Sequence, residues 1–214
     1  MSFPNPPSSH FQLVIASTNM HKVREIRDML KVLPISFDLF TLSDFPNYTP
    51  PEETGATFEE NAILKAVHAA AALQHWVLAD DSGLVVPALQ GAPGVRSARY
   101  AGNEASDLEN RKKLLDEMQH LMDDDRQAFF ECVIALASPE GLKKCTKGTC
   151  EGVLLTKDRG SNGFGYDPIF VKHGYSKTFA ELGDAVKNRI SHRRKALDKM
   201  LQSLESLAAD VLSH

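Results

Sequence analysis

The sequence has 214 residues, a formal net charge of −4 and 43% hydrophobic residues, values that are ordinary for a soluble globular protein. Its lysines and arginines form no long basic run, which argues against a protein that binds mainly to the backbone of DNA or RNA. The start, MSFPNPPSSH, lacks the apolar stretch of a signal peptide, and no later segment is apolar for long enough to span a membrane. We therefore expect a cytoplasmic protein with no nucleic-acid or membrane partner, whose three cysteines are reduced.

A strand and a helix are predicted after a loose, proline-rich tail at residues 1–10. The run FQLVIAS, at 11–17, is short, apolar and rich in strand formers. HKVREIRDMLKVL follows with apolar residues at helical spacing, and Pro34 ends that predicted helix. ISFDLFTL, at 35–42, is a candidate second strand before an irregular loop over 43–56.

The middle of the chain predicts two capped helices with a buried strand between them. Residues 57–60 (T-F-E-E) have capping-box spacing and open an alanine-rich helix that runs to about Gln74. WVLAD, at 76–80, has the composition of a buried strand. A further capped helix starts at 106–109 and runs to about Met122.

The second half of the chain predicts antiparallel strands followed by a last helical region. AFFECVIALA, at 128–137, has the most convincing strand pattern, and CTKGTCEGVLL after it is expected to pair with it. No helical pattern interrupts 128–171, so the sheet should be mixed. The last helical region begins at 178–181 and ends near Leu207. We expect an α/β fold with one domain over 11–214.

Ser17, Thr18 and Asn19 lie at a predicted strand-to-helix junction, with Lys22 one turn into the helix. The unpaired N–H groups of a helix start are a natural seat for phosphate, and the hydroxyls and the lysine add donors. The alternative is plain capping by Asn19 with a solvated Lys22. The segment alone favours that alternative because it lacks the Walker glycines.

Glu52 and Glu53 precede the second predicted helix, in which Asn61 and Lys65 share a face. Two carboxylates before a helix can simply complement its dipole, and in isolation that explanation is sufficient. Their role therefore depends on what the rest of the sequence supplies.

Asp80 and Asp81 stand at the predicted end of a buried strand and are followed by Ser82. Buried charge costs free energy unless it is paired, hydrogen-bonded or bound to a metal, so a purely structural role explains these residues poorly. Strand ends are where open α/β sheets bind ligands, and carboxylates with open water positions suit Mg²⁺. For this pair the functional interpretation is favoured.

Phe164 stands between Gly163 and Gly165, and Tyr166 and Asp167 follow it. A ring between two glycines is poorly shielded and can stack on a base, which contributes about 1–3 kcal/mol but barely discriminates among bases. Asp167 would then supply selectivity. A tight turn with a core aromatic is an equally good interpretation of the segment.

Lys187 precedes a basic run in which His192 and Arg193 follow Ser191. Such a run is usually a solvated helix face. A histidine and an arginine can also donate hydrogen bonds to keto oxygens and phosphates. Taken together, the clusters supply a phosphate cradle, an acidic metal site, an aromatic platform and polar base readers, which indicates a site for a nucleoside polyphosphate.

Six segments resemble those of the inosine/xanthosine triphosphate pyrophosphatases, in the order and spacing of that family. They are STNMHKVREI, EETGATFEENAILKA, ADDSGLVV, GAPGVRSARYAG, GFGYDPIF and KNRISHRRKAL. The resemblance extends from Leu13 to Leu197. It departs at Ser17-Thr18-Asn19, where bacterial members more often have Thr-Gly-Asn, although a hydroxyl and the asparagine are kept.

The resemblance implies hydrolysis of ITP, dITP and XTP between the α- and β-phosphates, with release of a nucleoside monophosphate and pyrophosphate. It implies Asp81 as general base and Mg²⁺ ligand, with Glu52 or Glu53 as a further ligand. The implied substrate-binding residues are Ser17, Thr18, Asn19, Met20, His21, Lys22, Lys65, Ser82, Phe164, Gly165, Tyr166, Asp167, Lys187, His192 and Arg193. The implied fold is an elongated mixed β-sheet with flanking helices, in two lobes around a central nucleotide cleft, usually as a homodimer.

The chemistry of these residue types is consistent with that activity. Phosphoryl transfer depends on positioning and charge neutralisation, which Mg²⁺ and three lysines, Lys22, Lys65 and Lys187, would supply. Hypoxanthine and xanthine carry a 6-keto acceptor where adenine has an amino donor. His192 or Arg193 facing that oxygen would be left with unpaired donors against ATP, which gives strong rejection.

Three other functions remain as alternatives. A related pyrophosphatase of modified pyrimidine nucleotides is disfavoured because its relatives lack segments like GFGYD and SHR. A phosphatase with an aspartyl-phosphate intermediate would need Asp-x-Asp after a strand, whereas this chain has adjacent aspartates. A nucleotide sensor without turnover is weakly disfavoured by the presence of both Asp80 and Asp81.

Overall fold

The computed structural model of the chain describes residues 11–31 and 37–212. The tail predicted for residues 1–10, and the proline predicted to end the first helix, lie outside the described residues. None of the described helices is long and apolar enough to cross a membrane.

The strands of the described chain form a six-stranded sheet. They are β1 (Phe11–Ile15), β2 (Phe37–Thr41), β3 (Trp76–Val85), β4 (Gln127–Ser138), β5 (Gly141–Leu154) and β6 (Phe170–Lys172). The order across the sheet is β2-β1-β3-β4-β5-β6. The first three strands in this order pair in parallel, and β3 to β6 pair antiparallel. The predicted mixed sheet and α/β class are confirmed, as is the pairing of β4 with β5.

Helices cover both faces of the sheet. They are α1 (Met20–Leu30), α2 (Phe58–Leu73), α3 (Asp107–Glu117), α4 (Asp184–Ile190) and α5 (His192–Leu212). The predicted caps of α2 and α3 are confirmed, since Thr57 accepts from the Glu60 N–H and Ser106 forms a full capping box with Glu109. A capped start leaves few unpaired donors, which is why these two helices begin where the sequence places them.

Alternate residues of the central strands pack against different helices. Leu13, Ile15 and Leu78 belong to a buried cluster that contains the apolar residues of α1 and α5. Val14 and Val77 belong to another buried cluster, with the alanines of α2. Because successive side chains of a strand point to opposite faces, the sheet separates an α1/α5 face from an α2 face.

The prediction that Asp80 and Asp81 follow the end of a strand is wrong. β3 continues to Val85, and the two aspartates pair inside it with residues of β4. The parallel pairing of β1 with β3 stops at Ile15 and Leu78. The aspartates therefore lie just beyond the end of β1, where the edge of β3 is open, although β3 itself goes on.

The prediction that a helix begins at Thr178–Glu181 is also wrong, because α4 begins at Asp184. The Thr178 hydroxyl donates to the Arg159 carbonyl, and the Glu181 carboxylate accepts from the Thr178 N–H and pairs with Arg159. The side chains that resemble a helix cap thus fasten a loop instead.

Candidate functional site

A cavity of about 400 Å³ opens next to β3, beyond the end of β1. Most of the predicted site residues line it: Ser17, Thr18, Asn19, Lys22, Glu53, Lys65, Asp81, Ser82, Phe164, Gly165, Tyr166, Asp167, Lys187, His192 and Arg193. Met20, His21 and Glu52 are not among its lining residues. The sheet and its helices therefore bring together side chains from widely separated parts of the sequence.

The start of α1 forms one wall of the cavity. The Asn19 side chain accepts hydrogen bonds from the N–H groups of His21, at 2.9 Å, and Lys22, at 3.3 Å. Ser17 Oγ accepts from the Asn19 N–H at 3.2 Å. Asn19 is thus a helix cap, but Lys22 is not solvated, because its side chain is only 15% exposed and its Nζ lies 3.3 Å from Asp80 Oδ2.

Asp80 is buried on the α1/α5 face and is surrounded by cations. Arg193 contacts its Oδ2 through Nη2 at 3.0 Å and through Nε at 3.3 Å, in addition to the contact from Lys22. Burial alone would raise the pKa of Asp80, but the charges of Lys22 and Arg193 outweigh it and hold that pKa far below its usual value. Asp80 therefore remains ionised and anchors both cations.

A chain of alternating charges continues from Arg193 along this face. Arg193 also pairs with Glu25 of α1, and Glu25 lies 2.7 Å from Lys187 Nζ. Lys187 Nζ in turn contacts Asp167 Oδ2 at 2.5 Å. Burial would raise the pKa of Glu25, but Arg193 and Lys187 together lower it. Glu25 therefore joins two of the predicted substrate-binding residues, Lys187 and Arg193, a role that its position one turn after Lys22 does not reveal.

Asp81 lies on the α2 face and belongs to a second charge chain. Its carboxylate accepts from Lys65 Nζ at 2.9 Å and from Asn61 Nδ2 at 3.3 Å. Lys65 Nζ also contacts Glu53 at 2.8 Å, and Glu53 pairs with Arg99 at 3.4 Å. Burial raises the pKa of Asp81 despite the opposing charge of Lys65, so this carboxylate binds a proton more readily than a free aspartate.

Glu52 and Glu53 differ in where they point. Glu53 is partly buried, lines the cavity and contacts Lys65, whereas Glu52 is exposed and does not line it. Burial would raise the pKa of Glu53, but Lys65, Lys22 and Arg99 together lower it. The geometry therefore places Glu53, of the two glutamates, beside Asp81.

The carboxylates of Asp81 and Glu53 converge on a single cationic group, Lys65 Nζ. Within the described residues, no group of three His, Cys, Asp or Glu side chains forms a ready-made metal site. Mg²⁺ commonly binds through one or two carboxylates and completes its coordination with water and substrate phosphates. The carboxylates of Asp81 and Glu53 are the type of ligand that such an ion takes, so these two residues would hold it.

Phe164 forms another wall of the cavity. Its half-buried ring lies 4.6 Å from Lys187 Nζ and stacks against His21, with ring centroids 5.1 Å apart and an interplanar angle of 17°. Its N–H donates to Asp167 Oδ2 at 2.9 Å. The segment is thus a tight turn, as one interpretation predicts, but Phe164 is not the core aromatic of that turn; Tyr166 is.

Two residues of α3, which no sequence pattern singles out, fix the turn that carries Phe164. Asp107 accepts from the Gly165 N–H at 2.7 Å, and Arg111 donates to the Gly165 carbonyl at 2.7 Å. Asp158 holds the guanidinium of Arg111 at 2.8 Å. The contact between Arg111 and Gly165 spans 54 positions of the sequence, so no local signal predicts it.

His192 is buried at the base of the cavity. Its ring stacks on Phe130 with centroids 4.8 Å apart, and its Nδ1 has no hydrogen-bond partner among the described residues. Burial, aided by the charges of Arg193 and Lys187, holds the pKa of His192 well below its usual value, so the ring is neutral. His192 and Arg193 are thus not on a solvated helix face, the alternative for this basic run.

Known proteins resemble this chain over most of its length. A sequence model of the Ham1 family matches residues 13–203. A dITP/XTP pyrophosphatase of Protochlamydia amoebophila is 56% identical over 197 residues, which cover 92% of this chain and 98% of that protein. A dITP/XTP pyrophosphatase of Chlamydia trachomatis serovar L2 is 50% identical over 202 residues, with coverage of 94% and 96%. The solved structure of a HAM1 protein from Coxiella burnetii is 42% identical, has a TM-score of 0.82 and covers 92% of this chain and 99% of its own.

Proposed function

Since this chain belongs to the Ham1 family, we propose that it hydrolyses ITP, dITP and XTP to the nucleoside monophosphate and pyrophosphate. One observation carries the proposal. A single cavity is lined by an aromatic ring, by two carboxylates that share Lys65 and by the start of a helix. A purine nucleoside triphosphate has a flat base, a phosphate tail and a need for charge neutralisation, which match these three parts.

The base would stack on Phe164 and be read by His192 and Arg193. The neutral His192 donates one ring N–H, which serves the base in the tautomer that places the proton on the nitrogen facing it. The five N–H groups of Arg193 make four described contacts, which leaves one on Nη1. A 6-keto oxygen accepts from such donors. The amino group of adenine cannot, and the buried donors would then stay unpaired, at a substantial cost to ATP binding.

The phosphate tail would lie between α1 and the Asp81 end of the cavity. The positive end of the α1 dipole and the hydroxyls of Ser17 and Thr18, which line the cavity, are suited to phosphate oxygens. Lys22 and Lys65 border this space and carry the positive charge that a polyphosphate requires. Each lysine is already held by an aspartate, so its ammonium group is positioned before the substrate arrives.

Asp81 would orient a water molecule and take its proton. The water oxygen would attack the α-phosphorus, and the bond from that phosphorus to the α–β bridging oxygen would break. Pyrophosphate leaves with the bridging oxygen. Lys65 and Asn61 hold the Asp81 carboxylate in place on a central strand, which favours a fixed geometry. We propose Mg²⁺ as the cofactor, held by Asp81 with Glu53 rather than Glu52; when bound, it would neutralise charge on the phosphates.

Cytoplasmic localisation and a homodimer are further parts of the proposal. The homodimer follows from the resemblance to the pyrophosphatase family, and the localisation from the composition of the chain. Analytical ultracentrifugation of the purified protein tests the first, and fractionation of the cells that make it tests the second.

A product-release assay tests the activity. The protein is incubated with ITP, dUTP or ATP and Mg²⁺, and the products are identified as pyrophosphate or orthophosphate. We expect pyrophosphate from ITP, little product from ATP, and loss of turnover in excess EDTA. Preferential hydrolysis of dUTP would favour the pyrimidine alternative, release of orthophosphate a phosphatase, and binding without product a sensor. Full activity in EDTA would contradict the metal assignment.

A further inference from the structure

The charged groups of the cavity already neutralise one another before a substrate binds. Its lining contains five cations, and each is paired with at least one carboxylate. Lys65 pairs with Asp81 and Glu53, Lys187 with Asp167 and Glu25, Arg193 with Asp80 and Glu25, Lys22 with Asp80, and Arg99 with Glu53. The five cations thus face five carboxylates, so binding of a polyphosphate requires some cation to exchange its carboxylate for a phosphate.

Lys22 and Arg99 are the cations with the weakest existing pairing. Each contacts one carboxylate among the described residues, at 3.3 Å for Lys22 and 3.4 Å for Arg99. The other cations each contact two carboxylates and are more deeply buried. The side chain of Arg99 is 30% exposed, twice the value for Lys22, and is therefore the freer of the two to change partner.

The backbone that carries Arg99 is fixed directly beside Asp81. A Cβ atom at Gly83 would lie 2.3 Å from Ser97 Oγ and 2.6 Å from the Gly94 carbonyl oxygen, so the helical turn Gly94–Arg99 rests on the strand itself. Ser97 Oγ also accepts from the Leu84 N–H at 2.9 Å. Gly83 is two residues after Asp81, and the turn therefore lies on the same face of the sheet as Asp81.

A second contact fixes the turn Gly94–Arg99 relative to the loop that carries Phe164 and Tyr166. The Tyr166 hydroxyl donates to the Ser97 carbonyl at 2.9 Å. Arg99 itself contacts Glu53, on the side of the cavity where Asp81 and Lys65 lie. The base of the substrate would stack on Phe164, and its phosphates would then lie near Asp81 and Lys65. Arg99 has a fixed backbone and a long side chain that reaches Glu53, so it can contact those phosphates.

We propose that Arg99 binds the β- and γ-phosphates of the substrate and the pyrophosphate that leaves. On binding, its guanidinium exchanges Glu53 for phosphate oxygens, to which it donates two parallel hydrogen bonds. The inference deepens the proposed function, on which it rests, by assigning a residue to the part of the substrate that all nucleoside triphosphates share. It predicts that removing Arg99 weakens binding of ligands that carry the β- and γ-phosphates, whatever their base.

Arg96 provides a matched control for Arg99. It lies in the same helical turn, three residues earlier, and has the same side chain. It is exposed and is not among the residues that line the cavity. Any effect of removing an arginine from this turn, or of lowering the net charge, is therefore shared by both positions.

The test is calorimetric titration of the wild type, Arg99→Ala, Arg99→Lys and Arg96→Ala with inorganic pyrophosphate and with IMP, in magnesium buffer. Loss of a charge-assisted pair should weaken pyrophosphate binding by Arg99→Ala about tenfold or more. IMP binding should stay within about twofold of the wild type, because the monophosphate lacks the tail. Arg99→Lys should be intermediate, since it keeps the charge but loses the paired donors, and Arg96→Ala should match the wild type.

The inference is overturned if Arg99→Ala binds pyrophosphate as well as the wild type does, or if it loses IMP to the same extent. Thermal melts check that both variants are folded, and a folded Arg99→Lys variant that binds pyrophosphate more weakly than Arg99→Ala also overturns it. Turnover separates it from the proposed function. A wild type that binds pyrophosphate through Arg99 but does not hydrolyse ITP would support Arg99 as a pyrophosphate-binding residue and would reject the proposed activity.

Discussion

Asp80 and Asp81 are neighbours in β3, but their carboxylates lie on opposite faces of the sheet and belong to separate charge chains. Asp80 contacts Lys22 and Arg193, and Asp81 contacts Lys65. The pKa of Asp80 is lowered and that of Asp81 is raised, relative to free aspartate. The same residue type thus anchors two cations at one position and binds a proton more readily than free aspartate at the next.

Replacing each aspartate by asparagine should give opposite results for stability. A carboxyl group with a lowered pKa stabilises the fold above its unfolded pKa, and that contribution is lost as pH falls through the folded pKa. Asp80→Asn should therefore destabilise the protein at neutral pH by about 3–5 kcal/mol, because Lys22 loses its carboxylate partner and the buried Arg193 loses one of its two.

Asp81→Asn should leave the melting temperature of the apo protein unchanged or higher, because the raised pKa of Asp81 shows that its buried charge costs stability at neutral pH. It should lower kcat on ITP by about 10²–10⁴-fold as the general base is lost. Thermal melts and kcat on ITP measure both effects. A stable Asp81→Asn variant that keeps more than about a tenth of the wild-type kcat, less loss than a general base should cause, would remove Asp81 from the mechanism.

The two glutamates before α2 offer a matched pair for the metal assignment. Glu53→Gln should raise the Mg²⁺ concentration for half-maximal activity by about tenfold or more, because a neutral amide is a poor ligand for a hard cation. Glu52→Gln should change it little, because Glu52 is exposed and outside the cavity. Magnesium titrations of ITP hydrolysis give both values, and the reverse ranking would assign the ion to Glu52.

Stacking and base selection should separate by substitution. Phe164→Ala should raise KM for ITP and ATP alike, since stacking contributes about 1–3 kcal/mol with any base. The ratio of kcat/KM between ITP and ATP should change little. If Phe164→Ala alone abolished selectivity, the roles of the ring and the polar residues would be reversed.

His192→Ala should lower the ITP/ATP ratio of kcat/KM by about tenfold or more, as the unpaired donor that rejects ATP is removed. His192 is the better position for this test than Arg193, because Arg193→Ala would also remove one cationic partner each from Asp80 and Glu25. Steady-state kinetics with the two substrates decide the matter. An unchanged ratio would show that His192 does not read the base.

The sequence predicts those features that depend on neighbours along the chain. The caps at Thr57 and Ser106 are local hydrogen-bonding patterns, so α2 and α3 start as expected. The end of β3 was misplaced because charged residues usually end a buried strand, whereas here cations from other elements pair with the aspartates. Local sequence patterns do not reveal such pairs, since Arg193 and Glu25, for example, are separated by 168 positions.

In the candidate site, too, the sequence predicts the local motifs but not the contacts between distant residues. The motifs indicate which segments meet, and the cavity contains all of them. They do not indicate that Asp107 and Arg111 hold the peptide after Phe164, nor that Arg99 pairs with Glu53. Those contacts depend on how α3 and the turn before it pack against β3, which no periodicity in the sequence encodes.

The acid limb of the pH profile should depend on Lys65. Asp81 must be ionised to accept a proton from water, so activity should fall as pH decreases through its pKa. Burial raises that pKa, and Lys65 is the largest influence that lowers it. Replacing Lys65 with glutamine removes the opposing charge, and the pKa of Asp81 should rise further, as expected for loss of a nearby opposite charge.

The measurement is kcat/KM on ITP against pH for the wild type, Lys65→Gln and Lys112→Gln, in which an exposed lysine of α3 is replaced. The acid limb of Lys65→Gln should move to higher pH, and that of Lys112→Gln should stay in place. A rate that falls equally at every pH would mean that Lys65 binds substrate without tuning Asp81. A shift to lower pH would mean that the titrating group is not a carboxylate held by Lys65, and Asp81 would then lose its assignment as the base.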